Sequence, residues 1–196
     1  MEKGQADEIR YKHILQYGIY VFPVVLLVVG LLSESPSAIW EGLRNIIVSP
    51  SVLLHDYLSV GGLGATLVNA GLCGIICCVL LALLRVELNG PFVAAVYTVI
   101  GFAFFGKNIF NVWPIFIGVA LFAKVQGVPT RNYALVGLFG TTLAPLVSAI
   151  TFGSYLSGSV AALLGAALGV LAGFVLPPLA SHMLRFHDMK TQHMRC

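Results

Sequence analysis

The stretch FVAAVYTVIGFAFFGKNIFNVWPIFIGVALFAKV, residues 92–125, decides how this chain folds. It is apolar on both sides of a polar interruption, Gly106, Lys107 and Asn108, and neither side is long enough to cross a bilayer comfortably. Residues 92–105 and 112–125 are each about 14 residues, or about 21 Å as helix, against a hydrocarbon core of about 30 Å. Two arrangements fit. In one, two short tilted spans are joined by a tight outer loop, with Trp113 in the interfacial belt. In the other, the two blocks form a re-entrant hairpin whose tip, residues 106–111, lies near the bilayer midplane. Non-helical backbone survives at that depth only where it is buried in protein or lines a cavity, and a lysine there is costly enough to mark function. Lys107, Asn108 and Asn111 are therefore candidates for a substrate path.

Working outward, the 196 residues are 58% hydrophobic and only 10% charged, too little charge to clothe a water-soluble domain. The expected partner is the lipid bilayer. A soluble enzyme and a disordered tail are excluded, and the 21 glycines argue against a single-pass anchor carrying a soluble head. The net charge of +3 is spread thinly, without the basic run that a phosphate backbone requires, so no nucleic-acid partner is expected. Four further blocks have spanning length: residues 14–32, kinked at Pro23; 62–84; 133–150; and 158–176, which Pro177 and Pro178 should stop. Ser35 and Pro36 read as an N-cap and a first-turn proline, opening a short helix over 37–48 that lies on the membrane rather than across it. The fold class is all-α, a polytopic transmembrane helical bundle of six hydrophobic segments, four full spans plus two short ones. It forms one integral membrane domain over 1–196, with an N-tail at 1–13, an outer loop at 33–60 and a C-tail at 178–196. Placing the N-terminus in the cytoplasm puts Lys3, Arg10, Lys12, Arg85, Lys124, Arg131, Arg185, Lys190 and Arg195 inside, and only Arg44 and Lys107 elsewhere. That bias predicts a cell-membrane protein with both termini cytoplasmic.

Outside the interruption the chemistry is sparse. Gly61, Gly62 and Gly64 precede a long helix, with Thr66 and Asn69 in its first turns. Free amides there offer a place for an anion or the polar end of a solute, whereas the same glycines also suit close helix packing, which leaves Asn69 unexplained. Gly165, Gly169 and Gly173 form a four-residue repeat that lets helix backbones approach, with Gly137, Gly140, Thr141 and Thr142 as the expected facing surface. Cys73, Cys77 and Cys78 read as small buried hydrophobes without a bridge. His182, His187, His193 and Cys196, with Met183, Met189 and Met194, carry no recognised metal spacing, and His55 and Asp56 have no placed nucleophile. No metal, no cofactor and no catalytic residue are expected.

Residues 49–72, SPSVLLHDYLSVGGLGATLVNAGL, and 104–122, FFGKNIFNVWPIFIGVALF, resemble a bacterial multi-span membrane family known as domain of unknown function 1576. The resemblance covers nearly the whole chain and implies a membrane protein, but brings no activity, substrate or site residues. Its members are longer, continuing beyond the equivalents of His187 and Asp188 into further hydrophobic segments. The resemblance thus implies that this chain corresponds to an N-terminal half, with a complementary membrane half or a homo-oligomer as partner. The leading expectation is a subunit of a transporter or channel for a small solute or ion, not an enzyme. The alternative is an assembly or binding subunit that docks through its glycine stripe.

Overall fold

The computed structural model describes the backbone of residues 2–51, 55–153 and 158–193, and the side chains among them other than those of 2–13, 15, 16 and 183–193. Among these residues all regular structure is helical. Helix α1, Glu2–Ser33, is continuous through Pro23 and begins well before the expected residue 14. It runs antiparallel along α3, Tyr57–Leu83. Cys78 donates its thiol to the Ile19 carbonyl at 3.5 Å, a Cβ at Gly71 would stand 2.7 Å from the Pro23 carbonyl, and one at Gly30 would stand 2.8 Å from the Gly64 carbonyl. Small residues bring the two backbones together where lipid supplies no hydrophobic drive.

Between them, α2, Pro36–Val48, starts as the sequence predicts, with Ser35 Oγ accepting from the Ala38 amide at 3.3 Å. It bends 119° away from α1 and buries Ile39, Gly42 and Ile46 against the start of α3, leaving Trp40 exposed. Asp56 caps α3 through the Leu58 amide at 3.0 Å. The helix then breaks at Gly62, whose φ of 80° only glycine adopts without strain. The break folds the first turn back. Thr66 Oγ1 lies 2.8 Å from the Tyr57 carbonyl, a group that would be about 13 Å away along an unbroken helix.

At the break Gly61 packs against α2 and Gly64 against α1, the close-packing reading of these glycines, and one freed amide is taken by the chain itself. Glu34, at the α1–α2 bend, places its carboxylate on the Leu63 amide at 3.1 Å, and it crowds Gly62 and Gly64. The chain supplies its own anion to this helix start. Glu34→Ala should cost about 1 kcal/mol, with Glu34→Gln losing less, measured as a lower thermal midpoint in detergent.

Helix α4, Gly90–Phe102, is capped by Asn89 and climbs back along α3, so that Ile100 packs on Gly74. After the interruption, α5, Trp113–Val125, descends again. Its residues Phe116 and Ala120 share a cavity wall with Leu80 and Leu84, at the end of α3 from which α4 set out. The two short helices therefore form an antiparallel hairpin with the interruption at its tip. The next segment was expected to be one helix over 133–150. It is instead α6, Ala134–Gly140, a 3-10 turn, Thr141–Leu143, and α7, Ala144–Phe152. Pro145 is the cause, because it has no N–H to give the Thr141 carbonyl.

The last helix, α8, Gly158–His193, passes through Pro177 and Pro178 rather than stopping there. Two lost donors free the carbonyls at 173 and 174, and a helix remains the arrangement that satisfies the rest of the backbone in lipid. Ser181 Oγ also bonds the Pro177 carbonyl at 2.9 Å, holding the turn beyond. By length and composition, α3, Thr130–Phe152 and Gly158–His182 can each cross a membrane, and Tyr17–Ser33 passes the same test jointly with α2. The chain is a multi-pass, all-helical bundle.

Candidate functional site

The tip of the α4–α5 hairpin is where the polar side chains of this apolar protein gather. Lys107, Asn108 and Asn111 are 0%, 1% and 4% exposed, so the tip is enclosed by the protein itself. The tip is buried because its backbone is answered from three sides. Asn69 Nδ2 donates to the Ala103 and Lys107 carbonyls, each at 2.9 Å. The Tyr57 and His55 amides donate to the Phe104 and Phe105 carbonyls at 3.1 and 3.2 Å. Within the tip, Asn108 Oδ1 accepts from the Phe110 and Asn111 amides at 3.0 and 2.9 Å, while Asn111 Oδ1 accepts from the Asn108 amide at 2.9 Å. These two side chains stand in for the helical bonds that the segment lacks. Gly106 makes the turn at φ 131°, packed against Pro145.

Two helix breaks meet here. Lys107 Nζ donates to Thr141 Oγ1 at 2.7 Å, and that hydroxyl donates to the Leu138 carbonyl at 2.6 Å. Asn111 Nδ2 reaches Ser148 Oγ at 2.9 Å, on the far side of the same 3-10 turn. The Lys107 ammonium also lies 5.5 Å from the centre of the Phe102 ring, a cation–π distance. It has three N–H groups, and Thr141 takes one. The described carboxylates are engaged or placed elsewhere: Glu34 is on the Leu63 amide, Asp56 is on the Leu58 amide, and Glu41 and Glu87 are exposed. The buried amine thus has no carboxylate beside it among the described residues.

Among the described residues, two buried side-chain atoms have no hydrogen-bond partner, Asn69 Oδ1 and Asn108 Nδ2. Their amide orientations are fixed, since Asn69 Nδ2 serves two carbonyls and Asn108 Oδ1 serves two amides. Asn108 and Asn111 face a cavity of about 140 Å³ walled by Ile47, Val147, Ser148 and Thr151. A larger, apolar cavity of about 270 Å³ lies between α3, α5 and α6, walled in part by Trp113 and Leu138.

Of the residues singled out by sequence, Lys107, Asn108, Asn111 and Asn69 converge at this point. Thr66 does not join them, because its hydroxyl is committed to the Tyr57 and Gly62 carbonyls. Asn69, which glycine packing left unexplained, holds the hairpin tip with its nitrogen, leaving its oxygen without a partner. Sequence reasoning missed Ser148 and Glu34 and took Thr141 for a packing residue; the signal for the Thr141 break was Pro145. Gly165, Gly169 and Gly173 are buried inside the chain. They face Thr151 and Val147 on α7 and Pro114 and Ile115 on α5, and on the expected facing surface Gly140 meets α8 through Leu176. The stripe is therefore not turned outward for docking. Cys73, Cys77 and Cys78 are buried free thiols in the α1–α3–α4 core. His182 is exposed, and the remaining tail residues named above, Met183, His187, Met189, His193, Met194 and Cys196, lie outside the described side chains.

No curated protein and no solved structure matches the chain. A family model does match, over residues 35–190: the chain belongs to the family described as Protein of unknown function (DUF1576).

Proposed function

We propose that this chain is a carrier or channel subunit for a small solute, with its path through the crossing of the two interrupted segments. The observation that carries the reading is the fully buried Lys107 at a helix break, bonded to a second break. Paired discontinuous helices at depth place free backbone and polar side chains where a solute can exchange its hydration for protein contacts. In this reading the Lys107–Thr141 contact is the closed barrier, and Asn108 and Asn111 are the first polar groups that a solute meets. The end that bears Arg85, Lys124 and Arg131 is the cytoplasmic one, and the protein moves its solute without chemical change.

The test is reconstitution of the purified full chain into liposomes, with fluxes of small anions, alkali cations and neutral polyols measured separately. One solute class should pass well above empty liposomes. Thr141→Val, which keeps the shape but removes the hydroxyl from the barrier, should change that flux by about tenfold or more, the equivalent of one hydrogen bond to a charged group. Folded wild-type chain that passes none of the three classes removes the proposal.

A further inference from the structure

We propose that the apolar cavity between α3, α5 and α6 is a site for an anionic phospholipid, with acyl chain in the cleft and the headgroup phosphate on Arg85 and Arg131. The site stands apart from transport, since it lies on the flank of the bundle and not at the hairpin tip. The cleft, about 270 Å³, is apolar apart from the Thr130 hydroxyl and the Trp113 indole N–H. Two of its lining residues one turn apart on α5, Trp113 and Ile117, are 40% and 49% exposed, so it opens sideways along that helix. From Trp113 to Ala120 it follows α5 for about 10 Å, two-thirds of the depth of one leaflet's hydrocarbon, about 15 Å. A cleft of that kind in a membrane protein fills with what surrounds it, which is acyl chain.

Charge at one end of the cleft selects the headgroup. Helix α3 and the segment Thr130–Phe152 are each long and apolar enough to cross a membrane; Arg85 comes two residues after the first, and Arg131 is the second residue of the other. Both arginines therefore stand at a bilayer surface. Their chain neighbours Leu84 and Thr130 line the same cavity, which brings the two to one place. Arg85 and Arg131 are exposed, as is Lys124 in the last turn of α5, whereas among the described side chains Glu87 is the carboxylate of this end. A guanidinium offers paired donors that match phosphate oxygens, and basic pockets between membrane helices hold anionic headgroups in this way. A zwitterionic lipid brings an ammonium into the same basic end and gains less.

The backbone of Arg85 points the same way. Its φ is 53°, in the left-handed region, and among the described residues no other non-glycine has a positive φ. The turn is the usual close of a helix: the Arg85 amide returns to the Ala82 carbonyl and the Val86 amide to the Leu81 carbonyl, each at 3.0 Å. Glycine is the unstrained residue at that position. An arginine there costs the lipid-free fold stability, and a phosphate on its side chain offsets the cost.

The experiment is thermal unfolding of the full chain in a neutral detergent, titrated with dioleoyl phosphatidylglycerol, with dioleoyl phosphatidylcholine or with sodium phosphate. Phosphatidylglycerol should raise the midpoint along a saturating curve, as a ligand of the folded state must, and the other two should raise it far less. Arg85→Gly separates the two roles of the residue: without lipid its midpoint should equal or exceed that of the wild type, while its apparent affinity for phosphatidylglycerol falls about tenfold, as does that of Arg131→Gln. Ala120→Phe, which fills the cleft and leaves every charge in place, should weaken the same lipid. If Ala120→Phe fails to fold, the wild type and Arg85→Gly still decide the matter. Equal curves for the two lipids would mean that only acyl chain is recognised, and an equal curve with sodium phosphate that only an ion is; either overturns the proposal. So does a midpoint that follows protein concentration and not lipid, which seats a second copy in the cleft, or an Arg85→Gly that loses stability and keeps its lipid affinity.

Discussion

Gly173→Leu should destabilise the folded chain by about 3 kcal/mol, the upper end of what overpacking costs, and Gly118→Leu should do the same. At both positions the obstacle is backbone rather than a side chain that can swing aside. A Cβ at Gly173 would run into the Ile115 carbonyl, and one at Gly118 would meet the Val170 carbonyl and stand 2.7 Å from the Phe174 amide. Helices α5 and α8 would have to separate along their length, losing the dispersion contacts that hold them together in lipid. A lowered unfolding midpoint in urea or SDS titrations of reconstituted protein is the measurement, with Gly101→Leu as the control, since a Cβ there meets nothing within 4 Å. Equal stability of Gly173→Leu and Gly101→Leu would contradict the packing described.

Asn69→Leu should cost a similar amount, about 3 kcal/mol, for a different reason. The substitution is close in volume, so packing contributes little, but it withdraws the two N–H donors from the Ala103 and Lys107 carbonyls. Each buried carbonyl left unpaired costs about 1–3 kcal/mol, and removal of the unpartnered Asn69 Oδ1 returns part of it. The loss falls on the hairpin tip and not on α3, whose helix is unchanged. A cysteine introduced at Asn111, protected from thiol reagents in the wild-type background, should therefore become reactive in Asn69→Leu before global unfolding. Stability loss with Asn111→Cys still protected would mean that Asn69 holds something other than the tip.

Much of this plan was legible in the sequence, and the reason is length. Two apolar blocks too short for hydrocarbon, flanking Gly106, Lys107 and Asn108, marked a hairpin and its polar tip, and the contacts that enclose the tip come from distant segments. Local signals that work within one turn were readable as well, such as Ser35 before Pro36 at the start of α2. Partners far along the chain were not. Glu34 looks like loop chemistry until α3 is folded against it, 29 residues later. The break at Thr141 sits in an unbroken apolar run, so hydropathy gave no warning and the evidence was the single missing N–H of Pro145. The glycine stripe announced an interface without naming the helix across it, since small residues fit any close neighbour.

The order of synthesis has a bearing on the hairpin. The hydroxyl that receives Lys107 is 34 residues further on and the one that receives Asn111 is 37, so the tip is made long before its acceptors exist. Until α6 and α7 emerge, burial in acyl chains would strand an amine and several amides without partners. The tip's set of hydrogen bonds can therefore close only after α6 and α7 have been made.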